Sequence, residues 1–172
     1  MPGLRDVGRA VGMTHAGVLY HVADKNELLA AMLKEQDRRF APTFDELFAR
    51  EPMGVLGGLD LFATSLVENP EAGRLYLLTS AAQLETEGPA HDYVVRRYRN
   101  LRRRFADAIL DGQERGDIRP EIDATDVATE IQAFLDGIAL QTHVLPGETD
   151  PHHAIAAFQA RLLESISTEP SR

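Results

Sequence analysis

Gly12-Met13-Thr14-His15-Ala16-Gly17-Val18-Leu19-Tyr20-His21-Val22-Ala23-Asp24-Lys25-Asn26-Glu27-Leu28-Leu29 decides how the chain is read. It is a turn, a short helix, a second turn and the start of a longer helix. Gly12 can close a preceding helix, because only glycine takes a left-handed backbone without steric cost. Thr14 is a good N-cap for the next helix. Val18 and Val22 lie four residues apart and so share one face of it, which leaves His15, Ala16, Gly17, Tyr20 and His21 on the rest of its surface. Asp24 starts another helix, and Glu27 three residues on gives a capping box. Upstream, Leu4, Val7 and Val11 recur at helical spacing, so Leu4 to Val11 is a short amphipathic helix. Two short helices joined by a glycine turn make a helix-turn-helix, whose second helix can enter the major groove of DNA.

Downstream the pattern stays helical. Leu28, Leu29, Met32 and Leu33 give the apolar side of a helix running from Lys25 to about Phe40, where Pro42 is expected to break or kink it. Phe44, Leu47 and Phe48 suggest a further turn or two, and Glu51 to Gly58, with Pro52, Gly54, Gly57 and Gly58, reads as a flexible connection. Val55, Leu59, Phe62 and Leu66 mark the next helix. Asn69-Pro70 opens another, carrying Leu75, Tyr76, Leu78 and Leu84 to near Gly88. Pro89 starts a long helix with Val94, Tyr98, Leu101, Phe105 and Ala108, stopped by Gly116. Asp123 with Asp126 caps a helix of Val127, Ile131, Phe134, Leu135 and Ile138 that Pro146-Gly147 ends, and Asp150-Pro151 begins the last, with Ile155, Phe158, Leu162 and Ile166. The tail from Thr168 is expected to fray. No period-two run flanked by hairpin turns occurs, so the fold class is all-α, with no sheet.

The 172 residues can hold one or two small domains with a real core. There is no Cys, hence no disulfide or thiolate metal site, and no apolar run approaches the roughly 20 residues that span a bilayer. No signal peptide opens the chain, so a soluble, cytoplasmic protein that does not meet a membrane is expected. The net charge of -9 argues against indiscriminate nucleic-acid binding. Its distribution is uneven. Residues 1–40 carry Arg5, Arg9, Lys25, Lys34, Arg38 and Arg39 against five acids, so the acid lies almost wholly outside the proposed DNA-binding part. That part is weakly charged, and affinity would need two copies and specific contacts.

The stretch resembles the DNA-binding part of TetR-type transcriptional regulators. The likeness rests on Leu4-Arg5-Asp6-Val7-Gly8, on Val11-Gly12-Met13-Thr14 and on His21-Val22-Ala23-Asp24-Lys25-Asn26-Glu27-Leu28-Leu29. Further on, Gly116-Asp117-Ile118-Arg119-Pro120 is similar to the family's link between its seventh and eighth helices. Phe134-Leu135-Asp136-Gly137-Ile138-Ala139-Leu140-Gln141 is similar to its eighth helix. The resemblance implies a helix-turn-helix head over residues 1–40 and a ligand-binding and dimerisation domain over 41–172. It implies a homodimeric regulator, a repressor released from a palindromic double-stranded DNA operator by a small-molecule effector. It places Thr14, His15, Ala16, Gly17, Tyr20 and His21 against DNA and Lys25 on phosphate. Two departures stand out: Leu19 replaces the family's usual Tyr, removing one phosphate contact, and Val22 replaces its usual Phe.

Because the family's middle helices surround a ligand cavity, Phe62, Tyr76, Tyr98, Phe105 and Phe134 are candidates to line it, although each is singly most simply core. Tyr76, Thr79, Gln83 and Tyr98 have polar ends that could orient an apolar ligand. The last two helices carry broad apolar stripes, and two such helices per subunit can pair with their copies as a four-helix bundle. That makes Val127, Ile131, Leu135, Ile138, Ile155, Phe158 and Leu162 the candidate dimer interface. TetR-type heads have three helices and this chain opens on what looks like the second. The expectation is therefore a head that lacks its first helix, with Leu4, Val7, Val11, Val18 and Val22 partly bare, poor in binding operator.

Other features have plainer readings. His152 and His153 point about 100° apart on a helix, and His91 and His143 have no partner at ligand spacing, so no metal is expected. No cofactor is implied. Arg96, Arg97, Arg99, Arg102, Arg103 and Arg104 read as the wet face of the long helix, the alternative being one Arg turned inward to hold an acidic ligand. No nucleophile elbow, phosphate loop or Ser-His-acid order supports an enzyme. The rival to a DNA-binding regulator is a small-molecule sensor or carrier that binds no DNA.

Overall fold

The computed structural model of the chain describes residues 3–49, 58–84 and 87–168. Among these, eight helices follow one another: α1 Leu4–Ala10, α2 His15–His21, α3 Lys25–Ala49, α4 Leu59–Glu68, α5 Pro70–Ala81, α6 Pro89–Arg115, α7 Ala124–Val144 and α8 Pro151–Ile166. The architecture is the all-α one that the apolar periodicity predicts.

The local signals act where the sequence puts them. Gly12 takes φ 72°, the turn between α1 and α2. Thr14 Oγ1 accepts the Gly17 N–H at 3.0 Å, and Asp24 accepts the Glu27 N–H at 2.8 Å while the Glu27 carboxylate takes the Ala23 N–H. Asp123 caps α7 through the Thr125 and Asp126 N–H groups, and Asp150 caps α8 through that of His153. Each cap satisfies N–H groups that a helix start leaves without partners.

Two boundaries differ from expectation, and a third expectation falls on residues outside those described. α3 does not stop near Phe40 but runs through Pro42 to Ala49. α5 ends at Ala81 rather than near Gly88. The expected connection over 51–58 lies, but for Gly58, outside the described residues. Thr168 is not frayed: its N–H donates to the Asp117 carbonyl at 3.1 Å and its hydroxyl to that of Gly116 at 2.8 Å. Here Ile118 and Ser167 form an isolated antiparallel bridge, flanked by Arg119 N–H on the Ile166 carbonyl at 2.9 Å.

The main core lies where α4, α6, α7 and α8 meet, around Leu59, Phe105, Ile109, Ile131 and Ile155. Val127, Ile131, Leu135 and Ile138 are buried along one stripe of α7, and Ile155, Phe158, Leu162 and Ile166 along one stripe of α8. Every such aliphatic chain taken from water stabilises the fold by about 1.5–3 kcal/mol. α3 lies against α6 and touches α4 and α5, with Ala30 and Leu33 buried. At the N-terminus α1 packs on α2. Of the five aliphatic residues expected to lie partly bare, Val18 is buried, Leu4, Val7 and Val22 are half-buried, and Val11 is open, at 62% exposure.

Candidate DNA-reading face and ligand cavity

α2 offers an open face. His15, Ala16, Tyr20 and His21 are exposed, Tyr20 to 86%, and Gly17 is half-buried. The Tyr20 and His21 rings meet edge to face, 5.3 Å between centroids. Val18, on the opposite side, is buried where α2 packs on Gly8 of α1. Gly17 has a local role too: a Cβ there would lie 3.3 Å from the capping Thr14 Oγ1. Leu19, where the resemblance expects Tyr, is 42% exposed. Lys25 is the first residue of α3, at the positive end of that helix's dipole.

The next residue fastens this end of α3 to the sensor. Asn26 accepts the Ala90 N–H at 2.7 Å and donates to the Glu87 carbonyl at 3.0 Å. The α6 start has no side-chain cap of its own, so a neighbouring helix supplies it. Gly88 makes the approach possible, with φ +116° and the place of its missing Cβ only 3.0 Å from Asn26 Nδ2.

Just under one turn of α3 beyond Leu33, at Gln36, lies a cavity of about 80 Å³ enclosed by α3, α4, α5, α6 and α7. Phe62, Leu66, Leu77, Leu101 and Leu135 form its apolar wall; Gln36, Ser65, Tyr76, Arg97, Gln132 and Asp136 are polar. Arg97 is turned inward. Its Nε donates to both carboxylate oxygens of Asp37, at 2.9 and 3.1 Å, and its guanidinium lies 4.0 Å over the Tyr76 ring. The Tyr93 hydroxyl donates to the same carboxylate. Burial pulls the Arg97 pKa down, but Tyr76 and Asp37 outweigh it and leave it above its ordinary value. Burial raises Tyr93, and the Asp37 carboxylate raises it further. Tyr98 is raised by burial and by Tyr76 and Asp136. Asp136 is raised by burial, held back in part by the Tyr98 hydrogen bond and by Arg97.

Phe62 and Tyr76 line this cavity. Tyr98 stands behind it, bonded to Tyr76 and Asp136. Thr79, Gln83, Phe105 and Phe134 are not brought to its wall. The Thr79 hydroxyl is taken by the Leu75 and Tyr76 carbonyls of its own helix, Gln83 is buried, Phe105 is in the core, and Phe134 stacks on Phe158 at 4.0 Å. Sequence reasoning missed Gln36, Gln132 and Asp136, and left open, without saying which, the inward arginine that proves to be Arg97. The signal for Arg97 was present: it falls three residues after Val94 and four before Leu101, inside the apolar stripe of α6. Of the arginines read as a wet face, Arg97 thus departs, and Arg102 reaches Gln132 Oε1 at 3.2 Å.

The seven side chains named as the dimer interface are all buried within the single chain. What α7 leaves outward is Thr129, Ala133, Leu140 and Val144, with Gly137 half-exposed; α8 leaves His153, Ala156, Ala160 and Glu164.

Comparison with known proteins fits this architecture. The family model of the C-terminal domain of BetI-type transcriptional repressors matches residues 64–166, well over half the chain. The chain belongs to the TetR family of transcriptional regulators: DNA-binding, ligand-responsive transcription factors rather than enzymes. Within that family the match is to the BetI type. No curated protein matches the chain in sequence. A TetR regulator of Chloroflexus aurantiacus J-10-FL is 23% identical with a TM-score of 0.83, over 96% of this chain and 85% of its own. One from Haloarcula marismortui ATCC 43049 is 20% identical with a TM-score of 0.81, over 97% and 88%. A regulator of Saccharomonospora viridis in complex with choline is 21% identical with a TM-score of 0.76, over 96% and 87%.

These findings correct the expectation of a head without its first helix. The TetR-type fold is met along nearly the whole chain by its eight helices, the helix-turn-helix pair among them. The expectation rested on bare aliphatic side chains, and mutual packing of α1 and α2 covers most of them. Among the described residues no group of side chains could hold a metal ion, and no helix is long and apolar enough to cross a membrane.

Proposed function

We propose that the protein is a homodimeric repressor that reads a palindromic operator through α2 and leaves it when a small molecule enters the cavity behind α3. In this reading His15, Ala16, Gly17, Tyr20 and His21 face base edges and backbone, Thr14 fixes the start of the reading helix, and Lys25 binds phosphate. Residues 1–40 form the head and 41–172 the sensor and dimerisation part. The observation that carries the reading is the continuity of α3. One helix bears Lys25 at its start and, about three turns on without a break, Gln36 on the cavity wall and Asp37 on the cavity's arginine. A ligand that shifts Arg97 or Gln36 acts on the helix that sets the head, and favours a state in which two heads no longer match grooves about 34–36 Å apart. The description of the matched family as repressors supports the sign of regulation. The choline bound to the Saccharomonospora regulator supports a small-molecule effector.

The dimer would form on the outward faces of α7 and α8, where Ala133, Gly137, Ala156 and Ala160 let helices approach closely and Leu140 and Val144 supply apolar area.

The test is binding to a DNA fragment selected by the protein from a random pool. Lys25→Ala should weaken binding alike on all sequences and lower the salt slope by about 1. His15→Ala should change the preferred sequence. Unaltered affinity and slope in Lys25→Ala would remove Lys25 from the interface. Failure to select any sequence would leave a sensor that binds no DNA.

A further inference from the structure

The charges around the cavity do not balance. Arg97 contributes one positive charge, and Asp37 and Asp136 one negative charge each. Asp37 is matched, chelated by the Arg97 Nε and bonded by Tyr93. Among the described residues, Asp136 lines the cavity with one neutral side-chain donor, the Tyr98 hydroxyl, and with the already engaged Arg97 as its nearby cation. Arg102 approaches Gln132 from an exposed position, where solvent screens its charge. An anion entering would bring a second uncompensated negative charge into a poorly solvated space, whereas a cation would cancel the first.

The unsatisfied hydrogen-bonding capacity points the same way. Gln36 lines the cavity and spends its amide N–H on the Ala72 carbonyl, at 2.7 Å; its Oε1 is buried and accepts from nothing. An orphaned buried acceptor costs about 1–3 kcal/mol until a donor arrives. The ligand that answers an unmatched carboxylate and an unmatched amide oxygen carries both positive charge and N–H donors. The remaining wall, Phe62, Leu101 and Leu135, asks for a short apolar body, and about 80 Å³ gives room for several water-sized groups. Gln36 also lines an open groove between α3 and the α4–α5 corner, which offers a way in.

We propose that the cavity takes a small protonated primary or secondary amine, its ammonium between Asp136 and Gln36 Oε1 and its alkyl part against Phe62 and Leu101. This rests on the reading of the cavity as the effector site. The full chain is titrated calorimetrically with n-butylammonium, n-butanol, butyrate and choline. Butylammonium should bind about 10-fold or more tightly than the neutral and anionic isosteres, and more tightly than choline, which is cationic but has no N–H. Asp136→Asn and, separately, Gln36→Leu should each weaken butylammonium about 10-fold while the melting transition stays cooperative. Should one variant fail to fold, the other carries the test. Butanol or butyrate binding as well as the amine, choline binding as well as the amine, no binding by any of the four, or an amine affinity indifferent to a folded variant, each overturns the proposal. The pool-selected DNA separates this from the effector reading. An amine that binds but leaves DNA affinity unchanged sinks the effector reading alone; butyrate or butanol that releases DNA sinks the amine alone.

Discussion

Asp136 is a carboxylate that burial holds above its ordinary pKa, and this makes a prediction at the level of one residue. Between an unfolded value of about 3.9 and the higher folded value, the folded chain binds more protons than the unfolded one. The Asp136 contribution to stability therefore rises as pH falls through that window, and is least favourable above it. Asp136→Asn should match or exceed the unaltered protein in Tm near neutral pH, and its advantage should close on acidification; parallel Tm curves from pH 4 to 7 would contradict this. Arg97 gives a second. Its side chain is 21% exposed and that of Asp37 30%, so the pair is sheltered rather than buried. Arg97→Met leaves the carboxylate with Tyr93 alone and should cost about 1–3 kcal/mol in urea unfolding. A double-mutant cycle with Asp37→Asn should show most of that loss as coupling. Arg97 also marks a limit of reading from sequence. An arginine inside an apolar stripe can turn in or snorkel out, and the choice depends on Asp37, 60 positions away.

At the scale of elements, the helix starts were the most legible part of the chain. Thr14, Asp24, Asp123 and Asp150 are short side chains whose oxygen finds an N–H two to three residues on, so the information is local. α3 was less legible. An interior proline removes an N–H and costs a helix about 3 kcal/mol, yet the helix continues through Pro42, so propensity at one residue did not fix its end. The cap on α6 was not legible at all, since Asn26 and Ala90 are 64 positions apart. Its prediction follows from geometry. Asn26→Ala removes both side-chain hydrogen bonds that Asn26 makes from α3 to the Glu87–Ala90 corner, and should cost about 0.5–2 kcal/mol of stability, the range for a lost cap. It should also loosen the angle between head and sensor, weakening DNA binding by more than the stability loss explains. Equal DNA affinity in anisotropy titrations would show that the joint does not set the head.

For the whole molecule, fold class was readable because the 3.6-residue period persists through nearly every segment. The surface that meets a second copy was not, because the apolar stripes of α7 and α8 are spent inside the subunit. Substitutions sort accordingly. Phe158→Glu places a charge in the core and should unfold the chain. Leu140→Glu lies on an outward face, 53% exposed, and should give a folded monomer in sedimentation. A Leu140→Glu protein that sediments as the unaltered one does would move the interface elsewhere.

The bridge between Ile118 and Ser167 has a consequence for the order in which the molecule comes apart. Chain ends are ordinarily the first backbone to exchange amide protons. Here the end of α8 is stitched to the turn after α6 by the Arg119 and Thr168 amides, with the Arg119 side chain on the Ser165 carbonyl. α7 and α8 lie within the loop those bonds close, so α8 cannot peel away without opening it. Its last turn should exchange as slowly as the middle of α7, as one cooperative unit, and a partner subunit would meet a helix pair already set.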